Sequence, residues 1–128
     1  MPPRSPRILL VDDEPGIRLT LGAVLSLKGY EVETAVDGMD AIERFTARRP
    51  DLVISDLRMP RMDGFELLRK IRELSTKIGL IAITGEFPDK PAGLVADAFF
   101  TKGAYRPEEL LAEVRRLLEV QRPAAAPA

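Results

Sequence analysis

Short unbroken apolar runs alternate along the chain with segments in which apolar residues return every third or fourth position. Ile8-Leu9-Leu10-Val11 is such a run, closed by acidic residues, and it predicts a strand buried on both faces. Leu52-Val53-Ile54-Ser55 and Leu80-Ile81-Ala82-Ile83 repeat the pattern, and Ala98 to Thr101 is a shorter version of it. Glu31 to Ala35 alternates polar and apolar instead, which suits an edge strand. Between these runs the period changes. Ile17, Leu21, Val24 and Leu25 predict a helix from Pro15 to Lys28, with proline tolerated at its start and Gly29 a good stop. Asp37 is placed to cap a second helix over Gly38 to Arg48, with Ala41, Ile42 and Phe45 inward. Phe65, Leu67, Leu68 and Ile71 mark a helix from Gly64 to Leu74, after a loop from Met59 to Asp63. Leu110, Leu111, Val114, Leu117 and Leu118 mark another from Pro107 to Val120. From Gly85 to Ala96 the rhythm breaks: Gly85, Pro88, Pro91 and Gly93 allow no more than about a turn of helix.

Strands alternating with helices imply a parallel sheet covered on both faces, and right-handed crossovers make it doubly wound. The expected fold is α/β with five parallel strands. A chain of 128 residues supports one such domain and not two. That domain is expected over 7–121, between a proline-rich tail (1–6) and a Pro/Ala-rich tail or linker (122–128). No apolar run approaches a membrane span, and the first six residues lack the apolar core of a signal peptide, so a cytoplasmic chain is expected.

Composition then narrows the chemistry. The chain has no histidine, cysteine or tryptophan. That excludes a Ser-His-Asp triad, histidine-ligated metals, disulfides and thiolate nucleophiles. Lys+Arg number 19 against 20 Asp+Glu, a net charge of -1, so no direct nucleic-acid or membrane binding is expected of this domain. Carboxylates, hydroxyls, lysine and arginine remain.

Doubly wound sheets bind ligands beyond the carboxyl ends of their strands. Those ends carry Asp12, Asp13 and Glu14 after the first strand and Asp56 after the third. Thr84 follows the fourth and Lys102 the fifth. Converging carboxylates repel one another unless a cation intervenes, and an oxygen-only donor set suits a hard ion such as Mg²⁺. A carboxylate nucleophile, a divalent ion, a lysine and a hydroxyl are the parts for phosphoryl transfer.

In this order and on these strand ends the motifs are specific. They are Ile8-Leu9-Leu10-Val11-Asp12-Asp13-Glu14, Asp56-Leu57-Arg58-Met59-Pro60-Arg61-Met62-Asp63-Gly64, Thr84 and Lys102. The chain resembles the receiver domain of two-component response regulators, of the single-domain chemotaxis-regulator type, over roughly residues 7–121. The resemblance implies a flavodoxin-like strand order 2-1-3-4-5. It also implies that Asp56 accepts a phosphoryl group, and that Mg²⁺, or Mn²⁺ in its place, is held by Asp13, Asp56 and the Arg58 carbonyl, with Asp12 acting through a bound water. Thr84 and Lys102 match the hydroxyl and ammonium that engage the phosphoryl group, and Phe99 matches the aromatic that moves with the hydroxyl. Arg58 and Glu86 match the flanking positions that tune the lifetime of the phosphorylated state. The implied partners are a sensor histidine kinase or phosphotransfer protein and an output partner or effector domain. The implied role is a switch that assists its own phosphorylation and dephosphorylation, not an enzyme acting on a small-molecule substrate.

Each residue also has a plainer reading. Asp13 suits a helix cap, Thr84 a strand-end hydroxyl bonded to backbone, Lys102 a solvated charge and Phe99 a core aromatic. Two alternatives stand for the whole: a receiver that serves only as an interaction module, and a Mg²⁺-dependent aspartyl phosphohydrolase. The second wants an acid two residues beyond the nucleophile, where this chain has Arg58. Two departures from the family pattern also set expectations. Gly103 stands where proline normally follows the lysine, which predicts a trans peptide there. The segment from Thr84 to Lys102 is short, which predicts a stunted, displaced or missing fourth helix and puts the family's dimerisation face in doubt. Phe87, Phe100 and Tyr105 are expected to be more exposed than usual, marking a non-standard homodimer interface.

Overall fold

In a computed structural model, residues 5–87 and 89–120 are described. The expected tails fall mostly outside these residues, as do Pro88 and Gln121. The apolar runs become β1 (Arg7–Val11), β3 (Leu52–Asp56), β4 (Gly79–Thr84) and β5 (Ala98–Thr101), and the alternating segment becomes β2 (Glu31–Ala35). All pair in parallel, in the order β2-β1-β3-β4-β5. The helices are α1 (Pro15–Leu27), α2 (Gly38–Ala47), α3 (Gly64–Leu74) and α4 (Pro107–Val120).

The uniform burial of β1, β3 and β4 follows from helices on both faces. Leu9, Val11 and Val53 point to the side covered by α2 and α3, where Phe45, Leu67, Leu68 and Ile71 meet them. Ile8, Leu10, Leu52 and Ile54 point the other way, against Leu25 of α1 and Leu110 and Val114 of α4. Each such side chain contributes about 1.5–3 kcal/mol by leaving water. At the lower end of the sheet the buried Arg7 guanidinium donates to Glu31 (3.3 Å) and Glu33 (2.6 Å) of edge strand β2 and to the Arg48 carbonyl (3.3 Å).

Between β4 and β5 the described residues contain no helix, as the glycines and prolines there predict. The segment covers the sheet instead with buried Leu94 and half-buried Phe87, Val95 and Ala96, all on the α2–α3 side. Phe87, Phe100 and Tyr105, expected to be more exposed than usual, are each partly buried. Phe87 packs edge-on against Phe65 with centroids 6.0 Å apart, and Phe100 packs against Tyr105 at 5.1 Å, leaving all three half-buried. Phe87 thereby rests on α3, and Phe100 and Tyr105 lie against the core on the α1–α4 side.

Candidate functional site

Parallel strands end on one side of the sheet, so the last residues of β1, β3, β4 and β5 bring their successors together there. Asp56 and Thr84 are the terminal residues of their strands, while Asp12 and Lys102 immediately follow theirs. Asp12, Asp56 and Thr84 are buried, and Asp13 and Glu14 are exposed at the rim.

Lys102 is the hub. Its Nζ lies 3.1 Å from Asp12 Oδ2, 2.8 Å from Glu14 Oε1 and 3.2 Å from Asp56 Oδ2. The Leu57 amide donates to Asp56 Oδ1 at 2.7 Å and the Arg58 amide at 3.4 Å, while the Glu14 amide donates to Asp12 Oδ1 at 2.9 Å. Arg18 donates to the Asp12 carbonyl at 2.7 Å, tying α1 to the end of β1. Gly64 is required beside this site: a Cβ there would stand 2.1 Å from the Asp56 carbonyl oxygen.

The charges strain against one another. Burial pushes the Asp12 pKa up, and the neighbouring Asp56 charge adds to this; the Glu14 amide and Lys102 oppose them without cancelling the rise. Burial works against the charge on Lys102, yet the bonds from Glu14 and Asp12 and the Asp12 and Asp56 charges hold its pKa above the ordinary lysine value. Its hydrogen bond lowers the Glu14 pKa in turn. Burial also raises the pKa of Tyr105, whose phenol lies within electrostatic reach of Lys102 and Asp12.

A metal fits this arrangement. Asp12, Asp13 and Asp56 each offer a carboxylate oxygen, and the three oxygens lie within 4.8 Å of one another. The donor set is oxygen only, it is half-enclosed, and its negative charge exceeds the single ammonium that faces it. Asp13 does not cap α1: the residue in the cap position is Glu14, which makes no side-chain cap bond.

The remaining candidates divide. The Thr84 hydroxyl accepts from the Glu86 amide at 3.3 Å, so it is turned to local backbone, and the Thr84 carbonyl accepts from the Lys102 amide at 2.8 Å. Phe99 is half-buried against the α2–α3 core. Arg58 and Glu86 stand exposed at the mouth and pair with each other at 3.4 Å. The peptide after Lys102 is trans, as expected, and Gly103 takes φ 79°, a left-handed turn open to glycine. Lys102 reaches Asp56 at 3.2 Å with glycine in the following position.

Three contacts were missed by the sequence reading: Lys102 with Glu14, Arg18 with the Asp12 carbonyl, and Arg61 with Asp37. Arg61, in the loop after Asp56, adopts φ 68° and donates through Nε to Asp37 at 2.9 Å. The Asp-Asp-Glu run signalled Glu14 as one more acid, but nothing in the sequence pairs it with a lysine 88 positions away.

Comparison with known proteins agrees with this geometry. The sequence matches the response regulator receiver domain family over residues 8–115. Response regulator MprA of Mycobacterium bovis is 38% identical over 122 residues, which cover 93% of this chain and 53% of MprA. The chain thus spans about half the length of the curated relatives it matches. Among solved structures, the receiver domain of an HD domain-containing protein from Pseudomonas fluorescens superposes with TM-score 0.87 at 30% identity, covering 100% of this chain and 97% of that one. Response regulator TrrA of Thermotoga maritima, solved in complex with Mg(2+)-BeF, gives TM-score 0.80 at 35% identity, covering 88% and 98%. Strand order, the acidic cluster with its lysine and the matched sequence all lead to one assignment: the chain belongs to the response regulator receiver domain family.

Proposed function

We propose that this chain is a phosphorylation switch, accepting a phosphoryl group on Asp56 from the phosphohistidine of a sensor kinase or phosphotransfer protein. The observation that carries the reading is the convergence of Asp12, Asp13, Asp56 and Lys102 on one cleft beyond the strand ends. An Asp56 oxygen forms the new bond to phosphorus as the phosphorus–nitrogen bond of the donor breaks, and the departing imidazole takes up a proton. The product is an acyl phosphate. Asp12, Asp13, Asp56 and the Arg58 carbonyl would hold a Mg²⁺ ion, which would supply positive charge against the phosphoryl oxygens; TrrA offers a precedent in its Mg(2+)-BeF complex. Lys102 adds fixed positive charge and exchanges its Asp56 contact for a phosphoryl oxygen. The Thr84 hydroxyl leaves the Glu86 amide for the phosphoryl group, and Phe99 follows it, which passes the event to the surface. Arg58 and Glu86 flank the mouth and set how readily water reaches the acyl phosphate.

Incubation with a small phosphodonor and Mg²⁺, followed by intact mass, tests this. One added phosphoryl group is expected on the wild-type chain and none on Asp56→Asn. No addition to the wild type, or addition that survives the substitution, overturns the reading.

A further inference from the structure

Beneath the cleft, between α1 and the start of α4, lies a cavity of about 210 Å³. Its floor is Leu10, Ile54 and Ile83 of the sheet, and its α1 wall is Ile17, Leu21 and Val24. Asp12, Asp56 and Lys102 form its upper end. The space is about half open to solvent, and an enclosed apolar hole of about 150 Å³ is enough to take up benzene. Local residues explain why this space stays open. The Tyr105 ring at its edge is engaged with Phe100 rather than turned inward to fill it. Thr20, on the same wall, turns its hydroxyl back to the Gly16 carbonyl at 2.7 Å and so presents its methyl group.

We propose that this cavity is a binding site for a small planar apolar molecule carrying one hydrogen-bond donor, of indole or phenol type. The walls select the apolar body by removing it from water. The upper end selects the donor, because carboxylates outnumber the ammonium there and a carboxylate accepts but does not donate. A carboxylate-bearing ligand is rejected by the same charge. The occupant lies against the Lys102 side chain, so it limits the exchange of the ammonium's Asp56 contact for a phosphoryl oxygen. This regulatory consequence rests on the phosphoacceptor reading; the binding site does not.

Indole, titrated into the full chain labelled with ¹³C at its methyl groups, is the test. Saturable shifts are expected at the methyls of Ile17, Leu21, Val24, Ile54 and Ile83, with a Kd on the order of 0.1–1 mM. Indole-2-carboxylate is expected to bind at least about tenfold more weakly. Val24→Phe and Thr20→Leu fill the space from its wall and its rim, and whichever retains a dispersed methyl spectrum should weaken indole binding by about tenfold or more. Absence of saturable shifts at these methyls in the wild-type chain overturns the proposal, as does equal binding of indole and the carboxylate. In a second arm, indole at saturation is expected to slow the mass addition from a small phosphodonor by about two- to tenfold. A chain that binds indole but takes no phosphoryl group without it refutes the phosphoacceptor reading and leaves the site standing.

Discussion

Arg61 holds a backbone conformation that side chains seldom adopt, φ 68°, in the loop that follows Asp56. Its ion pair with Asp37 offsets part of that strain. Arg61→Ala removes the pair and keeps the strain, whereas Arg61→Gly removes both. The glycine variant is therefore expected to be more stable than the alanine variant by about 1 kcal/mol, read from urea unfolding at neutral pH. Lys102 poses the opposite problem, one cation facing Asp12, Glu14 and Asp56. Lys102→Met leaves their mutual repulsion uncompensated and is expected to cost about 1–3 kcal/mol without divalent ions. Because the ammonium no longer competes for the carboxylates, Mg²⁺ should raise Tm more in this variant than in the wild type; thermal unfolding with and without Mg²⁺ checks both parts. Asp12, Asp13, Asp56, Thr84 and Lys102 were legible one by one, because each follows an apolar run at a strand end. The pairing of Arg61 with Asp37 was not, since it joins two loops that only the folded sheet brings together.

At the scale of elements, periodicity located the strands and helices to within a residue or two, as burial on fixed faces requires. Glycine and proline, rather than periodicity, pointed to a stunted, displaced or missing helix between β4 and β5, where the described residues contain none. Where Phe87 and Phe100 would rest was not legible, because each depends on a ring supplied by another element. The cap of α2 carries a pH dependence. Asp37 accepts from the Asp40 amide at 2.9 Å, and that bond, with help from Arg61 and against the effect of burial, holds its pKa below the usual aspartate value. A carboxyl lowered in the folded state stabilises above its unfolded pKa, about 3.9, and loses that contribution as pH falls through the folded value. Asp37→Ala should therefore cost about 1–2 kcal/mol at pH 7 and progressively less below about pH 4. Urea unfolding of both chains at neutral and acid pH measures the gap; a constant gap contradicts the assignment.

For the whole molecule, the acidic cleft couples ligand to stability. An ion that binds only the folded chain raises its stability by about 2.7 kcal/mol at a hundred times its Kd. Mg²⁺ is thus expected to raise the Tm of the wild-type chain relative to a chelated sample, and Asp13→Ala, whose carboxylate is exposed at the rim, should lose most of that rise without unfolding. Calorimetry with and without Mg²⁺ distinguishes this from a general salt effect if Na⁺ at equal ionic strength leaves Tm in place. Among the described residues no helix is long and apolar enough to cross a membrane.

The sequence by itself determined the element order, the parallel sheet, the residues at the strand ends and the chemistry open to a chain with no histidine or cysteine. These are local properties, written in period and residue type. Only the tertiary structure decided that Lys102 is shared among three carboxylates, that the Thr84 hydroxyl rests on the Glu86 amide, and that a cavity lies between α1 and α4. Each depends on the distance between side chains far apart in the chain, and that distance is set by how the helices settle on the sheet.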